Sequence, residues 1–191
     1  METVFHPAAD LFPMMSDEEL DALGEDMLEH GQREDIVLYK GKILDGRNRY
    51  VACQLNGIEP RCREELPADP YAFVASANLH RRHLDASQRA MIAAKLATLG
   101  DGERKAASPK GEAVRTQQEA ATMLDVGKRS VERARIVQVQ GAPELVEAVE
   151  KGLVSVSVAA EFAQAAPPLM QAALISQAGS AAAAALFYIF P

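Results

Sequence analysis

Residues 43–50, Ile-Leu-Asp-Gly-Arg-Asn-Arg-Tyr, hold the densest set of reactive groups in the chain. Arg47 and Arg49 flank Asn48 directly after the Asp45-Gly46 turn. If a helix opens at that turn, its unpaired amides and the two guanidiniums sit side by side, which is how proteins hold phosphate. The other reading is a solvated turn whose arginines pair with nearby carboxylates. A second cationic stretch, Asn78-Leu79-His80-Arg81-Arg82-His83, runs up to Asp85. His80 and His83 stand three apart, but only Asp85 is near enough to join them, so no metal site is expected. A third set, Lys128, Arg129, Arg133 and Arg135, has helical spacing and the composition of a nucleic-acid reader.

Specific elements must position these groups. Ser16 with Glu19 forms a capping-box pattern that starts a helix running to about residue 29, with Leu20, Leu23, Met27 and Leu28 as its apolar face. Residues 36–39 and 42–44 read as strands about a Lys40-Gly41 turn. A helix from Gly46 to Asn56, stopped by Gly57, is expected to bury Val51, Ala52 and Leu55. Cys53 reads as a small apolar residue of that helix. Residues 61–63 suggest one more short strand. Asp85 with Gln88 starts a helix whose inner face carries Met91, Ile92, Leu96 and Leu99. The polar segment 101–111 reads as a hinge. Thr116 with Glu119 begins a short helix, Leu124-Asp125-Val126-Gly127 turns the chain, and a second helix runs to about residue 138. Two short helices about a glycine-containing turn have the pattern of a helix-turn-helix, which an ordinary helical hairpin shares. The arginines on the second helix favour DNA. Further helices are expected at 143–151 and from Ser155 or Ser157 to 164.

Composition narrows the function. The chain has 191 residues and a formal charge of -7. Residues 1–75 carry 7 basic and 16 acidic side chains, residues 76–140 carry 12 and 7, and residues 141–191 carry 1 and 4. A basic middle within an acidic chain points to a local polyanion footprint and argues against indiscriminate coating of nucleic acid. No apolar run reaches the roughly 18 residues of a membrane span. Two cysteines, Cys53 and Cys62, provide no disulfide framework, and a cytoplasmic setting is expected. The alanine-rich tail from residue 169 can dock on the domain, form a surface for a protein partner or self-association, or stay poorly ordered. Docking is favoured, because exposed apolar surface is costly.

The sequence resembles the ParB/sulfiredoxin superfamily, and ParB-like partition proteins in particular. Three stretches carry the likeness in order: residues 20–50 with Gly46-x-x-Arg49, the arginine box Asn78 to Leu84, and the helix-turn-helix at 116–138. The resemblance implies an α/β N-domain of ParB/sulfiredoxin type over residues 1–75, a linking helix and loop at 76–110, an all-helical domain with the helix-turn-helix at 111–165, and the apolar tail at 166–191. It implies a nucleoside triphosphate, CTP or ATP, held with Mg²⁺ by Gly46, Arg47, Asn48 and Arg49 and closed upon by Asn78, Arg81 and Arg82. It further implies duplex DNA as a partner of Lys128, Arg129, Arg133 and Arg135. Partition proteins carry Glu-Arg after the glycine, where this chain has Arg47-Asn48. Asp45 is therefore the carboxylate available for catalysis beside Arg49. Sulfiredoxins place a catalytic cysteine where Arg47 stands, which argues against sulfinic-acid reduction. Partition proteins also carry a C-terminal dimerisation domain, and at this length one of the usual kind is not expected here. Small plasmid fertility-inhibition factors share this fold and block conjugative or oncogenic DNA transfer, so a nuclease or nucleotide hydrolase (an ATPase) is the alternative role.

Overall fold

The computed structural model describes residues 5–79, 84–98 and 116–189. The chain divides into two compact units, Met1–Arg81 and Arg82–Pro191. The first mixes strands and helices, and the second is all-helical among its described residues.

In the first unit, a 3₁₀ turn over Pro7–Leu11 precedes α1, Asp17–His30. Both halves of the Ser16/Glu19 capping box form. Strands β1, Ile36–Tyr39, and β2, Lys42–Asp45, pair antiparallel across Lys40 and Gly41, both at positive φ. Helix α2, Arg47–Asn56, follows at once and ends on Gly57 in the left-handed conformation. Strand β3, Cys62–Glu64, lies parallel to β1, giving the order β2-β1-β3. Helix α3, Pro70–Leu79, closes the unit. Asp69 caps α3 by accepting the Ala72 amide at 3.0 Å.

Several details differ from expectation. Strand β2 runs through Asp45, so this residue ends a strand rather than forming a turn. The register slips between Val37 and Leu38, which leaves Asp45 opposite Val37. Leu55 and Leu28, expected on apolar faces, are 63% and 61% exposed. The reason is where α1 and α2 meet. They approach at Gly24, against which the Asn56 side chain lies, and bury Met27 against Ala52 and Cys53. The buried stripe of α1 is therefore Leu20-Gly24-Met27, and Leu28 falls outside it. Helix α3 was not anticipated. Its run Tyr71-Ala-Phe-Val-Ala-Ser-Ala spreads small and apolar residues around the axis, so no one-sided period marks it.

The second unit opens with α4, Ala86–Thr98. The expected Asp85/Gln88 box is present, with the Gln88 amide donating to Asp85 at 2.8 Å and the Asp85 amide to Gln88 at 3.0 Å. Helix α4 buries seven of its residues, Met91, Ile92 and Leu96 among them. Around it stand α5, Gln117–Met123; α6, Lys128–Gln140; α7, Pro143–Glu150; and α8, Val156–Ala165. The tail forms α9, Pro168–Ala178, and α10, Ala181–Ile189, and both pack on the bundle. The expected hinge at 101–111 and the residue Leu99 lie outside the described residues.

The tail is docked by an unusual device. Gln171 is fully buried and accepts the Ala142 amide at 2.8 Å. It donates to the carbonyls of Ala166 at 2.7 Å and Gln140 at 3.0 Å. These groups lie at the ends of α6 and α8 and the start of α7, where helix termini leave backbone atoms without partners. Gln171→Leu should therefore strand several of them and cost about 2–4 kcal/mol, read as a fall in urea midpoint. An unchanged midpoint would show that water replaces the amide.

Candidate functional site

The helix-turn-helix is built by local chemistry. Thr116 and Glu119 complete a capping box on α5, with the Glu119 amide donating to Thr116 at 3.2 Å. Leu124 is buried beneath the turn, and Asp125 takes φ 50°. Gly127 begins α6 with no side-chain cap, and the first turn of α6 holds no acidic residue. Val131, Ala134 and Val137 seat α6 in the bundle. Lys128, Arg129, Arg133 and Arg135 are all exposed. At about 100° per residue they occupy one arc of roughly 160° opposite that buried stripe. Lys128 pairs with Glu132 at 3.7 Å, while Arg129, Arg133 and Arg135 make no ion pair with a described residue. The arc therefore presents free guanidiniums next to uncapped helix amides.

Arg89 was not singled out in the sequence. From α4 it donates to the Leu84 carbonyl and to the Asp125 carbonyl, both at 3.3 Å. It thus ties the turn of the helix-turn-helix to Leu84, the last residue of the arginine box. The only sequence signal was its place one residue after Gln88 of the cap.

The second candidate site is the start of α2. Gly46 has φ 93°, and a Cβ there would lie 3.0 Å from the Arg49 guanidinium and 3.3 Å from the Ile36 backbone. Gly46→Ala should cost about 1–3 kcal/mol through strained backbone and crowding. Urea denaturation would measure it, and a loss below about 0.5 kcal/mol would mean the turn relaxes freely.

Each cationic or amide side chain described here has a protein partner. Arg47 pairs with Asp10 and donates to the Phe12 carbonyl at 2.8 Å. Asn48 accepts the Met15 amide at 3.4 Å. Arg49 reaches Glu34 at 3.1 Å, and Asp45 and the Asp35 carbonyl at 3.3 Å each. Its Nε is buried without a partner. Asn78 of α3 donates to Asp45 at 2.9 Å and to the Val74 carbonyl at 3.0 Å. Asp45, Arg49 and Asn78 meet, and they pair with one another: the buried carboxylate of Asp45 is the hub. Arg81, Arg82, His80 and His83 lie outside the described residues.

Whether this cradle fits a triphosphate is a matter of charge. Two arginines face three carboxylates, of which Asp10 and Glu34 are 66% and 53% exposed and Asp45 is 9% exposed. A phosphate at this helix start would have to displace the two exposed acids, and Asp45 is the carboxylate that is buried. Among the described residues, no group of three or more His, Cys, Asp or Glu side chains is arranged to hold a metal. The thiol of Cys53 is pushed up from its usual value, first by burial and then by Cys62, with Arg49 opposing, which keeps it protonated and inert.

No protein-family model and no curated protein matches this chain. Among solved structures, a Pnob8-like ParB N-domain is 14% identical, with a TM-score of 0.51 over 93% of this chain and 81% of that one. The chain is also similar to C-terminally truncated chromosome-partitioning protein ParB from Caulobacter crescentus. Complexed to the centromeric parS site, that protein is 16% identical, with a TM-score of 0.44 over 94% of this chain and 91% of its own. Complexed with CTP-γ-S, it is 18% identical, with a TM-score of 0.36 over 90% and 92%. The overall fold, an α/β unit followed by an all-helical unit, is thus similar to that of a ParB N-domain structure.

Proposed function

We propose that this chain, of ParB/sulfiredoxin-like fold, is a DNA-binding protein that engages duplex DNA through α6. The observation that carries the reading is the exposed arc of Lys128, Arg129, Arg133 and Arg135 on the second helix of a helix-turn-helix. A helix of this kind lies in the major groove with its N-terminal residues toward the bases. Lys128 and Arg129 stand at that end, and the uncapped amides after Gly127 suit a phosphate oxygen. Arg133 and Arg135, one and two turns on, suit the groove edge or the flanking phosphates. The free thiols of Cys53 and Cys62 fit a cytoplasmic setting. Maintenance of a plasmid or chromosome is the role that the fold resemblance suggests.

The start of α2 is proposed as the phosphate site for a nucleoside triphosphate, CTP or ATP, with Mg²⁺ remaining mostly hydrated and bound through the phosphates. Gly46, Arg47, Asn48, Arg49 and Asn78 would hold it, and the resemblance alone adds Arg81 and Arg82, which lie outside the described residues. Binding would exchange Asp10 and Glu34 for phosphate oxygens. Such an exchange lowers affinity relative to a preformed cradle. The alternative, a ParB-fold nuclease or nucleotide hydrolase that inhibits DNA transfer, needs Asp45 to activate water. Asp45 is buried and already accepts from Arg49 and Asn78, which disfavours that reading.

Two titrations test the proposal. Fluorescence anisotropy with a labelled duplex should show binding that weakens steeply as salt rises. Calorimetry with CTP, ATP and GTP, with and without Mg²⁺, should show weak binding of at least one nucleotide. Duplex binding that is absent at low salt would reject the DNA reading. Heats indistinguishable from dilution for all three nucleotides would reject the phosphate site and leave the DNA reading standing.

A further inference from the structure

We infer that Arg89 is a positioning residue for the DNA-reading helix: from α4 it fixes the turn out of which α6 starts, without itself touching DNA. The inference rests on the DNA reading of α6 and names what aims that helix.

A helix in a groove reads bases only if its first turn is aimed at them. The entrance to α6 is weakly held by its own residues. Asp125 takes φ 50°, which a residue with a Cβ adopts reluctantly, and Gly127 supplies no side-chain cap. A backbone bond from the Val126 amide to the Ala121 carbonyl, at 3.0 Å, closes the turn behind α5. The Asp125 carbonyl accepts from Arg89 at 3.3 Å. The other terminal nitrogen of Arg89 donates to the Leu84 carbonyl, also at 3.3 Å. One guanidinium thus spans the carbonyl two residues before the α6 cap and the carbonyl one residue before the α4 cap.

The far end of α6 is tied to the same helix. Gln138 donates to the Met91 carbonyl of α4 at 2.9 Å. The apolar contacts of Val131, Ala134 and Val137 hold α6 against the bundle but carry no direction. The polar ties at both ends supply it. Stability alone does not account for an arginine at this place. Its Nε is buried without a partner, which costs stability, and both of its bonds are long. What arginine brings is a planar fork of fixed geometry, which a lysine ammonium lacks. Both terminal nitrogens are given to backbone carbonyls, so the group is turned toward the protein.

Fluorescence anisotropy with a labelled duplex tests this at one constant salt concentration. Arg89→Met and Arg89→Lys are each made in the parent and in the Arg129→Ala/Arg133→Ala background. Stoichiometric titration corrects for the active fraction. Arg89→Lys keeps the stem and the charge, so it reports on the fork even if Arg89→Met melts early. In the parent both substitutions should raise the dissociation constant roughly five- to thirtyfold. In the double alanine background the same substitutions should cost about twofold or less, because misdirecting a helix that has already lost its contacts changes little. Unchanged affinity in both single variants would overturn the inference. So would parent-like binding by Arg89→Lys beside a weakened Arg89→Met, since charge alone would then suffice. An equal loss in both backgrounds would also sink it, because Arg89 would then act independently of α6. A parent that binds no duplex rejects the DNA reading itself and this inference with it, a result seen before any variant is compared.

Discussion

Arg129→Ala combined with Arg133→Ala is expected to lower duplex affinity by roughly 30- to 1,000-fold at constant salt, from two charged contacts of about 1–2 kcal/mol each, the lower part of the range for such contacts. Folding should be untouched. Both side chains are exposed, and α6 is held by Val131, Ala134 and Val137 on its opposite side. Salt dependence separates their roles. Each phosphate contact removed should reduce the slope of log affinity against log salt by about 1, whereas a base contact relaxes sequence preference instead. Glu132 supplies the opposite sign on the same arc. It pairs with Lys128 and stands among the arginines. Glu132→Gln should therefore tighten binding a few-fold, through a freed lysine and less repulsion of phosphate. If the double alanine variant binds duplex as tightly as the parent, α6 does not carry the interaction.

The second large effect is expected in stability. Arg49→Met should cost about 2–3 kcal/mol. Its guanidinium is 18% exposed and its partner Asp45 only 9% exposed, so removal strands a carboxylate inside the first unit. Full burial of such a pair gives about 3–5 kcal/mol for loss of one partner. Asp45→Asn keeps the shape and the bond from Asn78 but gives up the charge, so the double variant should recover about 1–2 kcal/mol of the loss. Urea denaturation of the four proteins completes the cycle. Strict additivity would show that the two groups are solvated independently. The network also decides how the phosphate site is probed. Arg49 serves both folding and any anion, whereas the ion-pair partner of Arg47 is the exposed Asp10. Arg47→Gln should cost only about 1 kcal/mol of stability, and it is the cleaner variant for nucleotide titration.

What the sequence shows and what it conceals divide along range of interaction. The capping boxes at Ser16, Asp85 and Thr116 depend on residues three apart, and all three form as read. Gly57 and the Asp125 turn are equally local. The helix-turn-helix and its exposed arginines follow from 3.6-residue periodicity, because Val131, Ala134 and Val137 define the inner side. The partners of Arg47 and Arg49 are another matter. Asp10 lies 37 residues from Arg47, and Glu34 lies 15 from Arg49. With 16 acids in the first 75 residues, nothing in the order of residues says which acid arrives. Both readings of the Asp45–Arg49 turn named plausible chemistry, and the sheet register brought the carboxylates in. Gln171 was hidden for a similar reason: a glutamine in an alanine-rich stretch reads as surface until the helix ends around it are placed. Leu28 and Leu55 misled because one-dimensional periodicity cannot see that a glycine, Gly24, sets the point of closest approach.

Hydrogen–deuterium exchange of the full chain, with and without saturating duplex DNA, tests the central claim most directly. Binding through α6 predicts slowed exchange concentrated at residues 126–136, with the 117–123 helix following and the exposed backbone of α1 unchanged. Slowed exchange confined to the first unit, or spread evenly with no maximum at 126–136, would contradict the assignment of α6 as the DNA-reading helix.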